Sequence, residues 1–230
     1  MRRKGIAVVI TLLCAALSVG CGSQKASVKS SEVDTANVLT DNEILEQQSD
    51  LKDWKGEWTS FTHYCNDEKL DNIWNSIAET HNLDKEKLED TFKTMTYLPD
   101  DIKNFKIEDN VITGYAEDGT EVFSHKYEYV KTLLEDSDKT VISGQKSYLF
   151  KSLDEDSGLY NYFCIMKLCD EEKDDRNSSI SMADHFHFSY GTSEDDIKDF
   201  VGIPTMIDSN ISDAEKVNSM MIFFGFNSGR

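Results

Sequence analysis

From residue 51 onward, apolar residues recur with two different periods. In "LKDWKGEWTSFTHYC" the set Trp58, Ser60, Thr62 and Tyr64 alternates with Thr59, Phe61 and His63, which predicts a first strand. In "LDNIWNSIAETHN" the spacing changes: Leu70, Ile73, Trp74 and Ile77 fall on one helical face, with Asp71 or nearby polar residues to cap its start. "DKEKLEDTFKTMTYL" predicts a second amphipathic helix that ends near Pro99. Beyond it the period returns to two. "KNFKIEDNVITGYAEDGTEVFSHKYEYVKTLL", "KTVISGQKSYLFKSL", "LYNYFCIMKLC" and "HFHFSYG" are short alternating runs broken by turn residues, and Asp118-Gly119 is a strong hairpin signal. "TSEDDIKDFVGIPT" predicts a helix with Ser193 as N-cap, and "SDAEKVNSMMIFF" a last one, again with a serine cap. Strands joined in sequence and flanked by helices predict a mainly β fold, an antiparallel barrel or sheet with additional short helices.

The first fifty residues follow neither period. "MRRKGIAVVITLLCAALSVGCGS" has a basic start, an apolar run and small residues at its end, the pattern of an export signal over 1–20. Its "LSVGC" resembles a bacterial lipobox, with Ser18 where that pattern usually has leucine. The resemblance implies that Cys21 carries lipid and anchors the chain to the outer side of a bacterial membrane. A conventional signal peptidase site is the other reading. Residues 21–50, rich in Ser, Asp and Glu, read as a flexible tether with room for a short helix around Ile44 to Gln48. The folded domain is then 51–230.

Charge narrows the partners. The whole chain carries 24 basic and 43 acidic residues; without Arg2, Arg3 and Lys4 the balance is 21 to 43, a net charge of −22. Such a surface excludes phosphate-backbone recognition, so no nucleic-acid role is expected. It suits solubility and tolerates cations. Of five cysteines, Cys65, Cys164 and Cys169 remain after the signal and lipid sites, an odd number in an exported protein.

The chemistry concentrates in "ADHFHFSYG". Residues two apart on a strand face the same way, about 6–7 Å apart, so His185 and His187 address one spot while Phe186 and Phe188 turn to the packed side. Two imidazoles suit zinc but make only half of its usual shell. The remaining donors are spread out. His63 lies on the predicted first strand. His125 shares a face with Phe123 and Tyr127, as a core histidine does. His81 sits in a polar connection. Cys164 and Cys169 lie just before the pair, spaced so that only one of them points with it. No nucleophile–base motif is present, and no enzyme is expected.

Several stretches together resemble the ZinT (YodA) family of bacterial extracytoplasmic zinc-binding proteins, whose domain also occurs fused in AdcA-type zinc-uptake lipoproteins. Trp54, Gly56, Trp58, Ser60 and "KLD" (Lys69 to Asp71) match its opening pattern. "IEDNVIT", "KYEY" and "YLF" match its middle, His185-Phe186-His187 its zinc-binding stretch, and "IPT" and "SDAEKVNSMM" its end. The likeness runs from about Leu51 to Met221. It implies a calycin-like, lipocalin-like β-barrel and a three-histidine metal site near the barrel mouth. Two of the three carry over. The place of the third falls near Leu168 or Cys169, where Cys169 offers a thiolate; His63, His125 and Asp184 are the other donors for the shell. The expected function is binding of Zn(2+), with cadmium or other divalent ions as further cargo, in scavenging or in delivery to a zinc ABC-type importer. The alternative is a lipocalin-like lipoprotein that has lost the metal and holds a small organic ligand.

Overall fold

Strands form where alternate residues are large and apolar, because each such residue fills the same enclosed space. In the computed structural model, which describes residues 50–96, 98, 102–133, 147–168, 182–198 and 203–224, eight strands share that work. They are β1 (Gly56–Ser60), β2 (Ile102–Glu108), β3 (Val111–Ala116), β4 (Glu121–Leu133), β5 (Ser147–Ser152), β6 (Tyr162–Met166), β7 (His185–Gly191) and β8 (Thr205–Asp208). Each pairs antiparallel with its sequence neighbour, and β1 pairs with β8 to close the barrel. The β2–β3 turn places Asp109 and Asn110 at φ 51° and 64°, the left-handed pair that a tight hairpin requires. The predicted Asp118-Gly119 turn joins β3 to β4, with Gly119 at φ 83°.

An eight-stranded barrel is just wide enough for its own side chains, and aromatic rings fill this one. Trp58 meets Phe186 with ring centres 4.9 Å apart, Phe105 meets Phe188 at 5.2 Å, and Phe123 stacks on Tyr160 at 3.9 Å. A 3-10 turn, Leu51–Trp54, inserts Trp54 between Tyr148 and Phe150, and its Nε1 donates to the Met166 carbonyl at 2.9 Å. The Trp58 Nε1 in turn donates to the Trp54 carbonyl.

A second apolar layer lies against the outside of the wall. Helices α1 (Asp71–His81), α2 (Lys85–Thr96) and α4 (Asp213–Phe223) gather Trp74, Ile77, Phe92, Met220 and Phe223 with Ile207 of β8. A shorter helix, α3 (Glu194–Lys198), packs Ile197 with Leu133, Leu149 and Cys164.

Two sequence expectations are corrected. The first strand stops at Ser60, and Phe61–Asn66 is a 3-10 segment. Phe61 and Tyr64, three apart, both enter the helical layer, so His63 is not on a strand at all. At α1 the N-cap is Leu70, and Asp71 is the first helical residue, bonded instead to Lys85 Nζ at 3.1 Å. The serine cap of α4 is present: Ser212 and Glu215 form a reciprocal capping box. The signal, the tether, Cys21 and the helix expected around Ile44 to Gln48 lie outside the described residues. Among the described residues no helix is long and apolar enough to cross a membrane.

Candidate functional site

Phe186, Phe188 and Tyr190 point into the aromatic interior. The period of two then fixes the rest of β7: His185, His187 and Ser189 face outward, toward the helical layer. All seven residues of the strand are buried. His185 is 5% and His187 4% exposed. The pair is enclosed because the barrel's outer side here is itself covered. It thus sits at the start of β7, on the outer side of the barrel wall.

The two rings stand edge to face with centres 5.3 Å apart. His185 lies opposite Ile207 on β8, and its Nδ1 is 2.9 Å from the Ala183 carbonyl oxygen. His187 lies opposite Thr205, and its Nδ1 is 2.8 Å from the Thr205 hydroxyl. The Asp208 N–H donates to the Asp184 carbonyl at 3.0 Å, tying the segment before β7 to the end of β8.

The other histidines are held elsewhere. His63 Nδ1 pairs with Glu117 Oε2 at 2.7 Å. The same carboxylate holds Lys103, whose ammonium, first, and His63, second, keep it below the usual carboxylate range. His125 stacks on Phe123 and pairs through Nδ1 with Asp154 Oδ2 at 3.0 Å, so it borders solvent rather than closing the core. His81, expected in water, ends α1 with Nε2 3.2 Å from the Phe224 carbonyl.

Of the cysteines, Cys164 faces outward opposite Ser189, on the histidine side of the sheet. It packs with Leu133, Leu149 and Ile197 instead of joining the pair, and burial pushes its thiol up to about 12. Cys65 is also a free thiol pushed up to about 12 by burial. Cys169 lies outside the described residues. The β6–β7 register runs from Tyr162↔Gly191 to Ile165↔Phe188, and Leu168, beyond the end of β6, packs against the barrel's interior cluster. Among the described residues no third His, Cys, Asp or Glu completes a metal shell with the pair. What is in place, two enclosed imidazoles on one face, fits two corners of a zinc tetrahedron. Sequence reasoning missed Thr205. Its "IPT" stretch was noted, but its pairing with His187 comes from barrel closure and no local pattern carries it.

Residues 30–223 match the model of a family described as ZinT (YodA) periplasmic lipocalin-like zinc-recruitment. No curated protein matches the chain. Among solved structures it is similar to Zn(II)-bound AdcA from Streptococcus pneumoniae, with 22% identity and a TM-score of 0.53 over 75% of this chain and 35% of that one. It is similar also to the Zn(II)-bound ZinT-like domain of Streptococcus pneumoniae AdcA, with 21% identity and a TM-score of 0.52 over 75% of this chain and 89% of that one. The chain therefore spans about a third of the length of AdcA.

Proposed function

The chain belongs to the ZinT (YodA) family, and on that premise we propose that it is an extracytoplasmic lipoprotein that binds zinc through His185 and His187. The observation that carries this reading is the pair itself. Two buried imidazoles share one outward face of β7, 5.3 Å apart, each with its Nδ1 engaged by a neighbour. Burying two polar rings costs stability unless they are used or satisfied, and ligating histidines are commonly oriented through their other nitrogen in this way.

The shell needs further donors. Cys169 is proposed as the third, because in sequence it closely follows β6, the strand paired with β7, and because thiolate suits zinc. Soft ions such as cadmium would share such a site. Lipidation at Cys21 would hold the protein at the membrane, from which it would scavenge zinc or hand it to an ABC-type importer. The alternative, an organic ligand inside the barrel, is disfavoured by the aromatic rings that occupy the interior.

Zinc titration by calorimetry of the full chain tests this reading, beside a His185→Ala, His187→Ala double variant. One-to-one binding that is lost in the variant, together with loss of the zinc-dependent rise in Tm, is the expected result. Equal binding by both proteins would place the ion elsewhere.

A further inference from the structure

Thr205 has a single hydroxyl proton and two claims on it. Its Oγ1 lies 3.0 Å from the Ile203 carbonyl oxygen and 2.8 Å from His187 Nδ1. A carbonyl only accepts, so the proton goes to Ile203. The hydroxyl oxygen is then left to accept at its other contact, an arrangement that calls for the Nδ1–H form of His187. Neutral imidazole has one N–H, so the lone pair that a metal requires is on Nε2. His185 is set the same way without any side chain, since its Nδ1 faces the Ala183 carbonyl.

The support extends behind Thr205. The Ile203 N–H donates to the Met95 carbonyl, in the last turn of α2, at 2.6 Å. The Phe188 N–H donates to the Pro204 carbonyl at 3.2 Å. Thr205 itself is 1% exposed and pairs directly with His187 across β7 and β8. Helix α2, Ile203, Thr205 and His187 thus form one hydrogen-bonded series from the helical layer to the imidazole.

We propose that Thr205 is a positioning residue, which locks His187 as its Nδ1–H form and so presents Nε2 to the ion. The proposal rests on the zinc reading above for its role and on hydrogen-bond directions for the lock itself. The two parts separate by experiment. Long-range proton–nitrogen NMR of the metal-free full chain reads the tautomer of His187 with no ion present. Wild type should show the Nδ1–H form. Thr205→Val, which keeps the shape and removes the hydroxyl, should move the population toward Nε2–H and weaken zinc binding about 10–100-fold. Thr205→Ser restores the hydroxyl and should return both readouts to near wild type, which separates the lock from a mere folding defect. An Nε2–H signature in wild type overturns the proposal, as does a Thr205→Val protein that binds zinc as tightly as wild type. If wild type shows the Nδ1–H form yet binds no zinc, the lock stands while both its role at a metal and the zinc reading fall.

Discussion

Cys164 faces Ser189 across the β6–β7 ladder, one alternate position beyond His187 on the same outward face, yet its thiol belongs to an apolar cluster and not to the pair. A cysteine near two histidines suggests a zinc thiolate by type alone. Here burial holds the proton on the sulfur and pushes the thiol up to about 12. On the proposed reading, the functional cysteine is then Cys169 and not Cys164, five residues before it.

Cys164→Ser is expected to leave zinc affinity unchanged, whereas Cys169→Ser should weaken it. Calorimetry of both variants beside wild type checks this. If Cys169→Ser binds as wild type does, the third donor is another residue, and a carboxylate between 170 and 184 becomes the next to replace.

Gly114 on β3 has no room for a side chain. A Cβ there would overlap Phe123 Cε1 and come within 2.8 Å of its Cδ1. The ring is fixed by its stack on Tyr160, so it has nowhere to go. Gly114→Val should destabilise the fold by about 1–3 kcal/mol as overpacking does. Urea denaturation reads this, and an unchanged midpoint would mean that the ring moves freely.

Trp54 plugs the barrel by shape and by one hydrogen bond, from Nε1 to the Met166 carbonyl. Trp54→Phe keeps most of the ring surface and strands that carbonyl. The expected cost is about 1–3 kcal/mol, seen as a lower urea midpoint. A cost near zero would show that another donor or water takes over the carbonyl.

The capping box of α4 gives a pH signature. The Ser212 side-chain hydroxyl, first, and its backbone N–H hold the Glu215 carboxyl below its ordinary value of 4.5. A carboxyl lowered by folding stabilises the native state above its ordinary value, and that contribution is lost as pH falls below it. Ser212→Ala should therefore lower Tm clearly at pH 7 and by less at pH 3. A Tm gap that widens on acidification would contradict the assignment.

Much of this was legible in the chain. Alternation located the strands from β2 to β7 because each needs one large apolar side for the interior, whereas β8 (Thr205–Asp208), only four residues long, was not foreseen. It also set His185 and His187 on one side, since Phe186 and Phe188 had to occupy the other. What alternation does not report is whether the outer side is covered, and the helical layer decides that through contacts distant in sequence. The strand predicted through Tyr64 failed for a local reason. Phe61 and Tyr64 are spaced by three, and that spacing won over the weaker alternation of Thr62 and His63. Thr205 was invisible because the β7–β8 pairing joins residues 18 apart, with no tight turn to fix their register.

Strand β7 carries the pair, and it is hydrogen-bonded on both flanks, to β6 along one and to β8 along the other. The barrel around it closes without a free edge. Loading and unloading an ion on such a wall makes and breaks no strand pairing, so the empty protein offers neighbouring chains no backbone template for sheet growth. On the proposed zinc reading, the ion-free form is thereby protected from polymerising.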